Sequence, residues 1–182
     1  MIKKLALIIG FIICLSSCGK DYVYRIEGEL SNLEDQTVYA VFEKDNYKVV
    51  DTVACTKPGQ FQIDQNEAGF HCVTIFFADK EHWVTAYLEP GETVKITGDA
   101  NSPLLLQVKG GRTNDKLTAF KKKIAPLLTE LTNLSNSLNS KDLNDTIEET
   151  DIAARLANVN MQLSEEAIRY VKENPNEEAS VV

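Results

Sequence analysis

The segment Val108-Lys109-Gly110-Gly111-Arg112-Thr113-Asn114 (residues 108–114) decides the fold, because the hydrophobic period changes within it. Before the two glycines, short runs of branched and aromatic residues alternate with turn signals, which is typical of β-strands. After them, apolar residues recur at alternating spacings of three and four, which indicates amphipathic helices. The segment therefore separates a β half of the chain from an α half.

The predicted β domain covers residues 22–110 and contains eight such runs. Lys57-Pro58-Gly59-Gln60 and Glu89-Pro90-Gly91-Glu92 place Pro before Gly, which suits a type II turn. Eight short strands with turns of this kind predict an antiparallel β-sandwich or a partly open barrel. Gly28 within the first run predicts a β-bulge. The eight runs are residues 22–27, 38–42, 49–56, 61–64, 71–77, 84–88, 93–97 and 104–108.

The second half, residues 113–174, predicts an antiparallel helical hairpin. Thr113 or Asn114 is expected to cap its start, and Pro126 to kink or break the first helix. Either the two apolar stripes bury each other, or part of the stripe is an unpaired docking face for a protein partner or a second copy. The first stripe consists of Leu117, Phe120, Ile124, Leu127, Leu131, Leu134 and Leu138, and the second of Ile152, Leu156, Val159, Leu163 and Tyr170, widened by Ile168 and Val171.

The N-terminus predicts an export signal over residues 1–17. Two lysines precede an apolar run, residues 5–15, that is too short to span a bilayer. Leu15-Ser16-Ser17-Cys18 resembles the lipobox of bacterial lipoproteins, so Cys18 is expected to carry the lipid, with residues 18–21 as a short tether. The alternative is an ordinary secretory signal with an incidental cysteine. The expected location is the cell envelope, lipid-anchored to the outer membrane on its periplasmic or surface face.

The charge balance bounds the partners. The chain has 19 basic and 27 acidic side chains, and loss of Lys3 and Lys4 with the signal would leave a net charge of −10. Such an acidic protein is unsuited to nucleic acid and to electrostatic adsorption on anionic lipid. The expected contact with a membrane is therefore the N-terminal lipid alone.

Two cysteines, Cys55 and Cys72, remain in the β domain after the signal and the anchor are set aside. Their separation excludes the Cys-x-x-Cys of a redox helix. Three alternatives stay open in an oxidising compartment: two buried and unreactive thiols, a structural disulfide, or reactive chemistry.

The sequence shows no motif for catalysis, a metal or a cofactor. His71 and His82 lack metal-site spacing, and His71 and Cys72 would point to opposite faces of a strand. Asp79, Glu81, His82 and Trp83 cluster at a predicted hairpin tip. Trp83 and Tyr87, with nearby acids, suggest a carbohydrate or small-ligand site, although polar residues are ordinary at such a tip.

Four segments have a recognisable order and spacing: Tyr24-Arg25-Ile26-Glu27-Gly28, residues 50–61, Leu88-Glu89-Pro90-Gly91-Glu92 and residues 108–114. Together they resemble the N-terminal β domain, a domain of unknown function, of bacterial envelope lipoproteins whose C-terminal half is a thioredoxin-like thiol-disulfide oxidoreductase. The chain stops at Val182, about where that catalytic domain would begin, and lacks the Trp-Cys-x-x-Cys motif. The resemblance therefore implies no catalytic residue here, and residues 175–182 are expected to be a truncated linker toward a missing thioredoxin domain.

The expected function is that of a membrane-anchored, non-catalytic envelope lipoprotein that binds or docks. One alternative is the anchor and substrate-facing half of a split or truncated thiol-disulfide interchange enzyme. The other is a β-sandwich that binds an envelope glycan or peptide.

Overall fold

The computed structural model describes residues 22–34, 37–45, 47–78, 81–139 and 146–175, with the side chains of 139 and 146–148 excepted. The predicted signal, Cys18 and residues 176–182 lie outside these ranges. The strands are β1 (Tyr24–Ser31), β2 (Thr37–Lys44), β3 (Tyr47–Ala54), β4 (Gln60–Gln65), β5 (Cys72–Phe76), β6 (Trp83–Tyr87), β7 (Thr93–Asp99) and β8 (Gln107–Lys109). A short 3-10 turn (Pro103–Leu105) precedes β8, and the helices are α1 (Arg112–Lys123), α2 (Ala125–Asn139) and α3 (Thr146–Glu173).

The eight strands form two separate sheets of four strands. Sheet A has the order β4-β1-β7-β8, and sheet B has the order β3-β2-β5-β6. Every pairing is antiparallel except that of β1 with β7, which is parallel. Of the two predicted architectures, the sandwich is confirmed, since the described strands form no closed barrel.

The core lies between the sheets because alternate residues of each strand are apolar. On β1, Tyr24, Ile26 and Leu30 point inward, while Arg25 and Glu27 point outward. On β2, Val38, Ala40 and Phe42 are fully buried. At about 25 cal/mol per Å² of apolar surface removed from water, this shared interior is the main stabilising contribution to the sandwich. The interior also includes Phe61, Ile63, Phe70, Val73, Ile75, Phe77, Val84, Ala86, Val94, Ile96 and Leu106.

Both predicted type II turns are present. The Gln60 N–H donates to the Lys57 carbonyl at 2.9 Å, and the Glu92 N–H donates to the Glu89 carbonyl at 3.1 Å. The intervening glycines, Gly59 and Gly91, have φ of 76° and 82°, as the second central position of such a turn requires.

The bulge predicted at Gly28 is wrong. Gly28 pairs in unbroken register with Phe61 on β4 and with Ile96 on β7. A Cβ added to Gly28 would come within 2.2 Å of the Phe61 ring. The glycine therefore makes room for an aromatic ring in the core rather than an extra residue in the strand.

The helical half contains three helices within the described residues. Pro126 does mark a break: α1 ends at Lys123 and α2 begins at Ala125, so the proline occupies a first turn where its missing N–H is not needed. Helices α2 and α3 pack antiparallel, and Leu134, Ile152 and Val159 are buried between them. Most of the two stripes therefore bury each other.

The cap predicted at Thr113 or Asn114 is also wrong. Helix α1 begins two residues earlier than expected, with Gly111 at the N-cap position. Both predicted cap residues are buried inside the first turns. Asn114 instead bonds to the sandwich.

Candidate functional site

The outer faces of the two sheets have opposite chemistry. On sheet A, most of the outward side chains are charged or amide-bearing, and Arg25 holds Asp64 with contacts of 2.6 and 2.8 Å. This pairing lowers the pKa of Asp64 and raises that of Arg25. Sheet A therefore presents an ordinary solvated face. The outward residues of sheet A include Arg25, Glu27, Glu29, Gln62, Asp64, Lys95 and Lys109.

On the outer face of sheet B, two adjacent rows that cross all four strands have no charged side chain. We call these eight residues the aromatic face. One row crosses the sheet from β3 to β6 as Thr52, Tyr39, Phe76 and Trp83. The next row is Val50, Val41, Thr74 and Thr85. Lys48, Glu43, Cys72 and Tyr87 form the third row, where charge reappears.

The aromatic face is partly open to solvent: its four residues on the edge strands β3 and β6 are exposed, and its four residues on the central strands β2 and β5 are half-buried. Val50 is 66% exposed and Trp83 is 54% exposed, both high for large apolar residues. The Phe76 and Trp83 rings lie with centroids 6.1 Å apart, and the hydroxyls of Thr74 and Thr85 lie 3.1 Å apart. The helices contact the 3-10 turn, β6 and β8, at the edges of the sandwich. Exposed apolar surface of this kind is typical of interaction sites.

The predicted ligand-site residues separate in the structure. Trp83 lies on the aromatic face beside Phe76, whereas Tyr87 lies in the third row beside Cys72. Glu81 and His82 precede β6 and lie outside the three rows, and Asp79 lies outside the described residues. Tyr39 and Phe76 were missed because their runs resemble core strands. Their outward direction becomes evident only when strand alternation is combined with the pairing of β2 and β5.

The two cysteines do not form the disulfide that was one alternative. Both are free and half-buried. Cys72 pairs with Glu43 near one end of β2, whereas Cys55 follows Ala54, which pairs with Thr37 at the other end. Six residues of strand separate these ends by about 20 Å. A disulfide needs Cα atoms within about 7 Å of each other, so the bond is excluded in this fold.

The environment of Cys72 also disfavours a reactive thiol. Burial raises its pKa, and the neighbouring Glu43 carboxylate adds to the increase. Because the thiolate is the nucleophile, a raised pKa leaves less of the reactive form at neutral pH.

A second polar cluster surrounds the β2–β3 turn. His71 Nε2 lies 3.0 Å from Asp45 Oδ1, and Lys44 Nζ lies 3.1 Å from Glu67. The Tyr47 hydroxyl donates to the same Glu67 carboxylate and lowers the pKa of that group. A shallow groove of about 390 Å³ is lined in part by Lys44, Asp45, Tyr47 and His71. Across the described chain, no three His, Cys, Asp or Glu residues are grouped to hold a metal ion.

Helix α1 closes the side of the sandwich where β6 and β8 form the edges. The Asn114 Oδ1 accepts the Tyr87 N–H at 2.9 Å, and its Nδ2 donates to the Tyr87 carbonyl at 2.7 Å. The Thr118 hydroxyl accepts the Val108 N–H and donates to the Val108 carbonyl. Two buried side chains on one helix thus provide the backbone partners that both edge strands lack.

The helical hairpin leaves some apolar residues uncovered. Met161, Ile168 and Val171 are exposed on α3, so the two residues expected to widen the second stripe lie outside its buried part. The hypothesis that the hairpin docks a partner or a second copy stays a prediction. Among the described helices, none is long and apolar enough to cross a membrane.

A comparison with protein-family models gives one match, to the family described as a domain of unknown function (DUF4369), over residues 24–117. No curated protein and no solved structure matches the chain. The matched region runs from the first residue of β1 into α1, so it includes both sheets and Asn114. The predicted domain of unknown function is thus confirmed. Because the match covers more than half of its residues, the chain belongs to the DUF4369 family of domains of unknown function.

Proposed function

We propose that this chain is a lipid-anchored, non-catalytic binding protein of the cell envelope, and that the aromatic face is its docking surface. The observation that supports this proposal most strongly is the contrast between the outer faces of the two sheets. Sheet A has a charged outer face, whereas the two outer rows of sheet B combine aromatic, aliphatic and threonine side chains. A fold that needed both faces only for solubility would have no reason for this asymmetry.

The anchoring part rests on the N-terminal sequence and on the short tether. Cys18 follows the lipobox-like Leu15-Ser16-Ser17, and the resemblance to envelope lipoproteins supports the same setting. Only five residues lie between Cys18 and Tyr24, where β1 begins. The six Cα–Cα steps from Cys18 to Tyr24 span at most about 20 Å, so the sandwich would stay close to the membrane surface.

The start of β1 and the row containing Trp83 lie toward opposite ends of β6. The Gly91 N–H donates to the Val23 carbonyl at 2.8 Å, so the turn that follows Tyr87 lies beside the start of β1. From Tyr87, β6 leads back to Trp83 over four residues, or about 13 Å. The row containing Trp83 would therefore lie farther from the anchor than the row containing Tyr87 does.

The non-catalytic part rests on the cysteine geometry. Dithiol exchange needs an attacking thiolate and a resolving thiol within reach of each other. Cys55 and Cys72 lie at opposite ends of β2, and the pKa of Cys72 is raised. The purified chain should therefore show no dithiothreitol-dependent reduction of insulin above background. A rate that disappears in a Cys55→Ser/Cys72→Ser double variant would contradict this part of the proposal.

Lipid attachment is tested by metabolic labelling with an alkyne-bearing fatty acid in a bacterial host that processes lipoproteins. The full chain should take up the label and fractionate with membranes, whereas Cys18→Ser should do neither. A Cys14→Ser variant is the matched control, because Cys14 lies in the predicted signal and should not be lipidated. Equal labelling of the Cys18→Ser variant and the unsubstituted chain would contradict the anchor.

Use of the aromatic face is tested by maleimide labelling in whole envelopes. Thr85 on sheet B and Thr97 on sheet A are both exposed strand residues, so Thr85→Cys and Thr97→Cys form a matched pair. Both are made in the Cys55→Ser/Cys72→Ser background. The two sites should react at similar rates in purified protein, and only Thr85→Cys should be protected in the envelope. Equal reactivity at both sites in the envelope would contradict the docking surface.

A further inference from the structure

The aromatic face has the composition of a surface that contacts an uncharged, hydroxyl-rich chain. We propose that its ligand is a neutral polysaccharide, lying across the strands of sheet B along the row Thr52, Tyr39, Phe76 and Trp83. This inference rests on the proposed function and adds the chemical class of the ligand. It is carried by the dimensions, the charge and the side-chain chemistry of the face.

The dimensions argue against a second folded copy as the occupant. Four strands about 4.8 Å apart, and rows two residues apart along each strand, give a face of roughly 300 Å². A stable interface between folded proteins buries about 800 Å² on each partner. A flat strip of this size instead matches a narrow polymer that crosses the sheet.

The charge distribution argues for a neutral polymer. The two rows of the aromatic face contain no charged side chain, and the nearest charges in the third row, Lys48 and Glu43, pair with each other. The whole chain carries a net charge of −8, which repels anionic polymers. A cationic ligand would find no carboxylate among the eight residues of the face.

The geometry of β3 argues against an extended peptide as the occupant. A peptide would bind by adding a strand to the open edge of sheet B, through backbone hydrogen bonds. Asp51, in the middle of β3, is exposed on the other face of the same strand, and a charge of this kind discourages edge pairing.

The chemistry of the face fits sugar rings. A pyranose ring presents C–H groups on one side and hydroxyls around its rim, so it stacks on an aromatic ring and hydrogen-bonds at its edges. Tyr39, Phe76 and Trp83 lie side by side on three neighbouring strands, with Phe76 and Trp83 6.1 Å apart. The Thr74 and Thr85 hydroxyls lie in the adjacent row, where they can reach the ring substituents. Aromatic side chains combine large contact area with low conformational entropy, which suits a shallow site.

The test is affinity electrophoresis and calorimetry of the purified chain with defined soluble polysaccharides. The neutral probes are hydroxyethylcellulose, glucomannan, laminarin and glycogen, and the charged probes are polygalacturonate and heparin. Trp83 is the single tryptophan of the chain, so its fluorescence reports binding at the face directly. At least one neutral probe should retard the protein and shift the Trp83 emission, and neither charged probe should do so.

Variants assign the binding to the face. Trp83→Ala should weaken binding about tenfold or more, as loss of a central aromatic contact does at interfaces. Met161→Ala on α3 is the matched control, because Met161 is 55% exposed and Trp83 is 54% exposed. Thr85→Lys places a charge on the face without removing a large side chain, so it keeps the test valid if Trp83→Ala folds poorly. It should also abolish binding.

Three results would overturn the inference: no binding to any neutral probe, binding to charged probes alone, or binding that both face variants retain. If no neutral polysaccharide binds but Thr85→Cys is still protected in the envelope, the ligand class is rejected and the proposed docking surface is retained. If no neutral polysaccharide binds and Thr85→Cys is not protected, the proposed docking function is rejected as well.

Discussion

Asn114 on α1 and Tyr87 on β6 exchange two hydrogen bonds, so that one side-chain amide pairs with the backbone of an edge strand as a neighbouring strand would. The Nδ2 of Asn114 also donates to the Gly110 carbonyl at 2.6 Å. The Oδ1 and the Nδ2 of Asn114 are therefore both hydrogen-bonded, and the residue is only 2% exposed. This link holds the helical half against the β half.

Replacing Asn114 with Ala should destabilise the protein by about 2–3 kcal/mol, because the part-buried backbone groups of Tyr87 and Gly110 lose their Asn114 partner. Urea denaturation followed by circular dichroism measures the change. Asn160→Ala, at an exposed position of α3, is the matched control and should shift the free energy of unfolding by less than about 0.5 kcal/mol. Equal effects of the two substitutions would show that the Asn114 bonds contribute nothing.

Thr118→Val keeps the shape of the side chain and removes its hydroxyl. It should cost about 1–3 kcal/mol, since the Val108 N–H and carbonyl of β8 are left unpaired in a buried site. Thr132→Val in α2 is the control, because the Thr132 hydroxyl bonds only to a carbonyl of its own helix. We expect hydrogen exchange at the Val108 amide to accelerate in Thr118→Val and not in the control.

Gly28→Ala should destabilise the sandwich by about 1–3 kcal/mol through overpacking against Phe61. Gly91→Ala should cost about 1–2 kcal/mol for a different reason, because Gly91 has a positive φ but open space around it. A Phe61→Leu background separates the two causes. Part of the Gly28→Ala cost should disappear in that background, whereas the Gly91→Ala cost should not change. A double-mutant cycle without coupling between positions 28 and 61 would contradict the steric explanation.

Burial lowers the pKa of Lys121 on α1 from its ordinary value of 10.5. Between the folded and unfolded values the unfolded chain binds more protons, so stability rises with pH in that window. Lys121→Met should therefore stabilise the protein at pH values below the window, by an amount that shrinks as the pH approaches the unfolded value. Lys122→Met, at the exposed neighbouring position, is the control. A Lys121→Met gain that stayed constant with pH would rule out desolvation of the ammonium group as its cause.

The local features of the fold could be predicted from the sequence, because each depends on neighbouring residues. Seven strands follow from runs of branched and aromatic residues, both Pro-Gly turns from backbone restriction, and the break between α1 and α2 from Pro126. The eighth run, residues 104–108, only overlaps β8, because Pro103–Leu105 forms a 3-10 turn. The pairings could not be predicted in the same way. The parallel pairing of β1 with β7 joins Arg25 to Thr93 across the chain, and no local pattern specifies it.

In the candidate site, too, local sequence signals could be recognised, whereas features that depend on strand pairing or helix packing could not. The sequence indicates Trp83 as a candidate ligand-site residue because it clusters with polar residues at a predicted hairpin tip. Tyr39 and Phe76 lie within apolar runs whose alternate members form the core, so only the pairing of β2, β5 and β6 reveals that they share an outward-facing row with Trp83. Asn114 was predicted as a helix cap because its residue type suits one, and its bond to Tyr87 depends on where α1 packs.

The emission of Trp83 in the purified protein tests the central claim most directly, because the claim requires the aromatic face to be open when no ligand is bound. Acrylamide quenching and the emission maximum are measured before and after unfolding in urea, with N-acetyltryptophanamide as the reference for full hydration. We expect a red-shifted emission and efficient quenching in the folded protein, in keeping with a side chain that is 54% exposed. A blue-shifted emission that acrylamide quenches weakly until the protein unfolds would show that the face is covered by the chain itself, and would contradict its use as a docking surface.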